Sequence, residues 1–161
     1  MFKRLIAVVT ILVAFGLITV TDSSAQSAGG LRKFYLSRQA VDGAHTFHVC
    51  VPGFHFASLW EILNPTTLSY DVEDGATQPD AGSGPPSSLR GWIRNGSPSS
   101  GSPTNGNCQV WTSNLHADSG TFAILSAPAL WNSAAVAVSP WQTGTTICEG
   151  SNPVWCVENE P

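Results

Sequence analysis

The stretch Asn152-Pro-Val-Trp-Cys-Val-Glu-Asn159, close to the end of the chain, most constrains what this sequence can fold into. It reads as a short apolar strand, and it carries the fourth and final cysteine. Cys148 lies just upstream across a Glu-Gly-Ser-Asn-Pro turn, and Cys50 and Cys108 lie far back in the chain. A cysteine on a closing strand, joined to a distant partner, is how a small exported domain pins its ends together. Four cysteines allow three pairings, and their spacing chooses none of them. There is neither a CxxC pair nor a zinc-knuckle pattern, which argues against structural zinc held by thiolates.

The start of the chain fits export. Lys3 and Arg4 precede the apolar run Leu5–Val20, and Ser23-Ser24-Ala25 places small residues before a cleavage point at Gln26. The run is shorter than the roughly 20 residues that cross a bilayer as a helix. An uncleaved anchor is the rival reading; with no cysteine at the cleavage point, a lipid anchor is not suggested. Residues 1–25 are therefore predicted to be a signal peptide, and 26–161 a single disulfide-bonded domain, secreted or held in a periplasm or at a cell surface. Removing Lys3, Arg4 and Asp22 with the leader leaves five basic against ten acidic side chains. No basic stripe exists, which argues against nucleic acid or an anionic membrane as partner.

Along the mature chain, Lys33–Leu36 reads as an opening strand. Ala44–Val51 fits either a strand, through the alternation of Phe47, Val49 and Val51, or a short helix. Ser58-Leu-Trp-Glu61 is a capping box, which predicts a helix of at most two turns carrying Leu59, Trp60, Ile62 and Leu63 inward. Asn64-Pro65 stops it. From Asp71 to Asn107 the chain is rich in turn residues, interrupted by a predicted core strand, Leu89–Arg94. Further strands are predicted at Gln109–Thr112, Thr121–Leu125, Ala134–Val138 and Pro153–Glu158. The expected class is α+β, mostly short antiparallel strands, with one or two helices near the start and long irregular loops.

In this order the pieces resemble the C-type-lectin-like fold, including its endostatin branch and the bacterial exported domains similar to endostatin. Cys50 followed by Gly53-Phe-His-Phe-Ala-Ser-Leu-Trp-Glu61 looks like that fold's first cysteine and second helix. Gly91-Trp-Ile-Arg looks like its Trp-Ile core strand, and Asn107-Cys-Gln-Val-Trp111 like its second cysteine strand. Cys148 with Val154-Trp-Cys-Val-Glu158 looks like the closing pair. The resemblance spans residues 34–158 and implies nested bridges, Cys50–Cys156 and Cys108–Cys148. It also implies a rigid scaffold that presents variable loops.

Family-type calcium and sugar ligation is not expected. Gln78-Pro79-Asp80 lies before the Trp92 strand, whereas the family's triplet lies after it. Trp131-Asn132-Ser133 lacks the carboxylate of the family's second motif, and calcium needs six to eight hard oxygens. The acidic loop Asp71, Glu73, Asp74 and Asp80 fails the EF-hand register, because Gly75 falls one position early. His45, His48 and His55 form a candidate zinc group with no evident fourth ligand. His45 and His48 would share a face only if their segment were helical. There is no Gly-x-Ser-x-Gly elbow, and oxidised thiols remove a cysteine nucleophile. His116-Ala-Asp118 is a single acid near a single histidine.

Of the six tryptophans, Trp60, Trp92, Trp111 and Trp155 sit on predicted elements among apolar neighbours and are expected in the core. Trp131 and Trp141, beside Pro128 and Pro140, are the candidate surface aromatics for ligand contact, although core packing is the favoured alternative for both, since Trp is highly buried on average. The reading that follows is a non-enzymatic recognition module, with no cofactor, that binds an extracellular protein or surface glycan without calcium. An envelope-associated structural protein is the second reading. A small metal-dependent or hydrolytic enzyme is the third.

Overall fold

The computed structural model describes residues 30–97, 105–125 and 141–160. The predicted leader, Trp131 and the predicted strand Ala134–Val138 lie outside the described residues. The elements run β1 (Arg32–Leu36), a 3-10 turn (Gly43–His48), β2 (Phe54–Phe56), α1 (Leu59–Ile62), a second 3-10 turn (Pro65–Thr67) and β3 (Leu68–Tyr70). They continue with β4 (Arg90–Trp92), α2 (Cys108–Trp111), β5 (Ser119–Leu125), β6 (Trp141–Ile147) and β7 (Trp155–Glu158). The class is mixed α+β, built mainly of strands with a few short helices.

Strands β2-β7-β1-β3 form one sheet in that order, and β4-β5-β6 form a second. The closing strand β7 is internal to the first sheet: Cys156 pairs with Tyr35 on one side and Phe56 on the other. Both neighbours are antiparallel to it, whereas β1 and β3 run parallel, with Phe34 opposite Tyr70. The alternation of side chains along a strand then divides the interior in two. Phe34, Leu36, Trp155 and Val157 enter a cluster with Ile62, Ile93, Ala123 and Trp141. Tyr35, Cys156 and Phe56 enter the other, with Trp92, Trp111, Cys108, Cys148 and Val154. β4 belongs to the second sheet, yet the Trp92 N–H donates to Pro153 O at 2.8 Å, which stitches the two sheets together. The fully buried indoles of Trp92 and Trp155 donate to Val41 O (2.8 Å) and Ala123 O (2.9 Å), so neither loses a hydrogen bond on burial.

The bridges are Cys50–Cys156 and Cys108–Cys148, the nested pairing, and no cysteine is free. Two disulfides fit an oxidising, extracellular or periplasmic setting. No helix among the described residues is long and apolar enough to cross a membrane.

The structure corrects several expectations. The predicted strand Gln109–Thr112 is instead the helical turn α2, because its backbone closes on itself rather than pairing with a neighbour. Of the two alternatives for Ala44–Val51, the helical one forms, as a 3-10 turn over Gly43–His48 in which the Asp42 side chain accepts from Ala44 N. The short strands β2 and β3 and the long strand β6 were not anticipated. The capping box does form, with Glu61 reaching back to Ser58, but α1 is a single turn. A single turn faces inward along only one line, so Ile62 is buried while Trp60 is 77% exposed. For Trp141, left between ligand contact and core packing, the core holds: it is 6% exposed and packs edge-on against Trp155 with ring centroids 4.9 Å apart.

Candidate functional site

The candidate site begins with α2, whose four residues have φ of 46, 54, 57 and 61°. This is a left-handed helical turn made of Cys108, Gln109, Val110 and Trp111, none of them glycine. For L-residues such winding costs about 1–2 kcal/mol per residue. Several groups hold it in place. Trp111 N donates to Asn107 O at 2.6 Å and Thr112 N to Cys108 O at 3.0 Å. The Asn107 side chain accepts from Val110 N, and Gln109 Nε2 donates to Asp118 Oδ1 at 3.0 Å. Asp118 also accepts from Ser113 Oγ at 2.5 Å. These hydrogen bonds, Ser113 first and Gln109 second, hold the Asp118 carboxyl below its ordinary range. The bridge to Cys148 adds the covalent tie. Two glycines make room for it: a Cβ on Gly43 would lie 2.4 Å from Cys108 Sγ, and one on Gly120 would lie 2.5 Å away.

Facing α2 is the segment that leaves β4. Asn95 Nδ2 donates to Asn105 O, Gly106 O and Thr121 Oγ1 at 2.8 to 3.1 Å, and its Oδ1 accepts from Ser97 N. Asn107 Nδ2 reaches Ser97 O at 3.2 Å. The two asparagines thus pin both sides of a cavity of about 230 Å³, lined by Phe47, Arg94, Asn95, Gly96, Ser97, Asn107, Val110 and Trp111. Its aromatic floor is continuous with the core. Phe56 packs edge-on against Phe47 and Trp111, and Trp111 against Trp92. At the rim the indole of Trp60 passes over Gly96: a Cβ on that glycine would lie 3.7 Å from Trp60 Nε1.

Beside the cavity stands Glu61, the hub of the local charges. Its Oε1 meets His55 Nε2 at 2.7 Å and Arg32 Nη2 at 3.6 Å. Its Oε2 accepts from Ser58 N (2.8 Å) and Ser58 Oγ (2.7 Å), with Arg94 Nη2 at 3.5 Å. Burial pushes this carboxyl up, but the hydrogen bonds from Ser58 and His55 outweigh it and leave the group below its ordinary range.

The other sequence-predicted residues are dispersed. His45 pairs with Asp42 at 2.6 Å, whereas His55 lies between Glu61 and Asn159, with Nδ1 2.7 Å from Asn159 Oδ1. His48 is exposed at the end of its turn. Among the described residues no three His, Cys, Asp or Glu side chains gather as a metal site. Asp71 turns inward to accept from Lys33 Nζ and from the backbone of Glu73 and Asp74. Gln78-Pro79-Asp80 forms a turn closed by Ala81 N to Gln78 O. His116 meets Glu149 at 3.1 Å, away from the Asp118 contacts just described. Of the two candidate ligand-contact tryptophans, Trp141 is buried and Trp131 lies outside the described residues. The cavity residues Arg94, Asn95, Asn107 and Val110 carried no signal stronger than the Asn-Gly dipeptides at 95–96 and 105–106, which mark turns.

No family model matches the chain, and neither a curated protein nor a solved structure matches it.

Proposed function

We propose that this chain is a secreted recognition module on a C-type-lectin-like scaffold, binding an extracellular protein or a surface glycan without calcium. The observation that carries the reading is the cavity between the Arg94–Ser97 segment and the left-handed turn. Strained backbone persists only where the surroundings over-determine it, and such places concentrate at ligand clamps and active sites. Here the strain positions Val110 and Trp111 as one wall of a cavity with exposed aromatics at its rim. Polar groups in an otherwise aromatic hollow suit binding, since they fix the orientation of what enters. The scaffold part of the reading is supported by the nested bridges, by the buried Trp92-Ile93 pair at β4, and by the internal position of the closing strand. In that fold the loops after the Trp-Ile strand present the ligand, and the cavity lies directly after it. In the acidic loop, the Asp71 carboxylate is engaged by the Lys33 ammonium and by the backbone of Glu73 and Asp74.

The test is a set of NMR titrations of the isotopically labelled mature protein with monosaccharides, short oligosaccharides and extracellular peptides. Each is run in millimolar calcium and again in chelator. Shifts should cluster at Gly96, Val110 and the Trp60 indole, and be the same in both. Binding that requires calcium, or shifts that avoid these three positions, would overturn the reading.

A further inference from the structure

We infer that the cavity receives an acidic side chain of a protein partner. Its carboxylate sits against the Arg94 guanidinium, and a neighbouring apolar side chain lies on Trp60 and Phe47. The inference rests on the cavity being a recognition site and adds the chemistry of what is recognised.

Among the polar lining residues the two asparagines are firmly engaged, whereas Arg94 is held only loosely. Both asparagines have their amide donors and acceptors directed at the backbone and side chains that hold the loop. Arg94 differs. A guanidinium offers five N–H donors. Here Nη2 meets Glu61 at 3.5 Å, the long limit of a hydrogen bond, the guanidinium lies over the Phe56 ring, and Nε is buried without a partner among the described residues. Glu61 does not depend on this contact. His55 and Ser58 reach it at 2.7 to 2.8 Å, and Arg32 supplies a second cation. Arg94 therefore keeps a positive charge and its terminal Nη donors beside the cavity. A carboxylate matches those donors with two acceptors and an opposite charge; a neutral hydroxyl matches neither.

The rim decides between a protein and a glycan. Phe47 and Val110, 50% and 40% exposed, line the cavity together with Arg94, and Trp60, 77% exposed, lies beside Gly96 at its edge. Clustered aromatics with arginine form the composition of protein-interface hot spots. The chain as a whole carries a net charge of −4, so the attraction is local to Arg94 and no long-range steering accompanies it.

The experiment compares two capped dipeptides differing only in charge, N-acetyl-Glu-Leu-amide and N-acetyl-Gln-Leu-amide. A sugar pair differing in the same way, glucuronate and glucose, is run alongside. All are titrated into the wild-type mature protein and read at the Gly96 and Val110 amides and the Trp60 indole. The Glu peptide should bind at least about tenfold more tightly than the Gln peptide, the scale of a hydrogen bond to a charged group. Arg94→Gln should erase that difference and Arg94→Lys keep part of it. Glu61→Gln, which retains the reach back to Ser58, should not weaken binding. Equal binding of the two peptides at the cavity would sink the carboxylate assignment and leave the recognition site standing. Tighter binding of glucuronate than of the Glu peptide would replace the protein partner with an acidic sugar. No shift at the cavity with any of the four probes would overturn both this inference and the reading beneath it. The wild-type comparison stands even if an Arg94 variant folds poorly.

Discussion

Around Cys156 the chain is extended: β7 runs between β1 and β2 in regular register, apolar side chains alternate between two clusters, and Cys50 joins it from the bend before β2. Around Cys108–Cys148 it is not. The first cysteine of that pair begins a left-handed turn, and asparagine and aspartate side chains supply the hydrogen bonds that a regular ladder would otherwise provide. In the first region the backbone is relaxed, and hydrophobic burial stabilises it. In the second the backbone is strained, and side chains and a bridge oppose the strain. The cavity belongs to the second region. A regular sheet has few hollows, because its pleated surface packs densely. An irregular turn held from outside can leave one.

Removing the bridges one at a time separates the two regions most strongly. The Cys50–Cys156 bridge closes 106 residues and the Cys108–Cys148 bridge 40. In the chain-entropy model these stabilise by about 5 and about 4 kcal/mol respectively. Cys50→Ala with Cys156→Ala should lose close to the full amount, since nothing in the sheet relaxes in return. Cys108→Ala with Cys148→Ala should lose less than its model value, because the turn is then free to leave the left-handed region. Urea unfolding measures both. Equal losses, with the Gln109 and Val110 amide resonances unmoved in the second variant, would show that the bridge does not hold the turn.

The tryptophans give the next largest effect. Trp141→Ala removes a buried indole packed against Phe34 and Trp155 and should cost about 3–5 kcal/mol. Trp60→Ala removes an exposed one and should change stability by less than about 0.5 kcal/mol. Thermal unfolding of the two variants side by side decides whether the assignments of core and rim are correct.

These two residues also show what was legible in the sequence. The elements of the first region could be read because their signals are periodic and local: Lys33–Leu36 and Pro153–Glu158 alternate, and Ser58 and Glu61 sit at capping distance. Trp60 is misplaced because Leu59, Trp60, Ile62 and Leu63 read as one inward face, whereas the single turn of α1 buries only Ile62 fully. Trp141 stays a surface candidate in the sequence because its neighbouring prolines suggest a loop, whereas it opens β6 opposite Leu125 and is buried. The turn at Cys108–Trp111 could not be read at all. Val110 and Trp111 favour extended backbone, and nothing local announces positive φ without glycine. The conformation is set by Asn107, Asp118, Gly43 and Gly120 acting together, which is tertiary information. Most of the cavity was hidden for the same reason.

Relieving the strain directly is a smaller and more specific test. Val110 has φ 57° and ψ 40°, is partly exposed, and is β-branched, which suits it poorly to that region. Val110→Gly should stabilise the protein by about 1 kcal/mol, because glycine adopts the conformation without a steric penalty. The same substitution at Val157, in β7, should destabilise through lost burial and a freer unfolded chain. A destabilised Val110→Gly variant would contradict the left-handed turn itself.

The finest distinction lies in how the two regions hold their carboxylates. Asp71, beside β1, is held below its ordinary range first by the hydrogen bond from the Lys33 ammonium. Asp118, beside α2, is held low first by Ser113 and then by Gln109, both neutral. In each case the folded value lies below the unfolded one near 3.8. Each group therefore contributes stability that is fully present above that pH and is lost as pH falls through the folded value. Both contributions vanish in acid, but they should differ in salt. Lys33 is half exposed, so its attraction is screened once the Debye length falls to about 3 Å in 1 M salt. The Asp71 carboxyl should then titrate closer to its ordinary value, while Asp118 stays where it was. Carbon-detected NMR titration of the two carboxyls at low and high salt reads this directly. An Asp118 value that moves with salt as Asp71 does would mean that charge, rather than neutral hydrogen bonding, secures the turn.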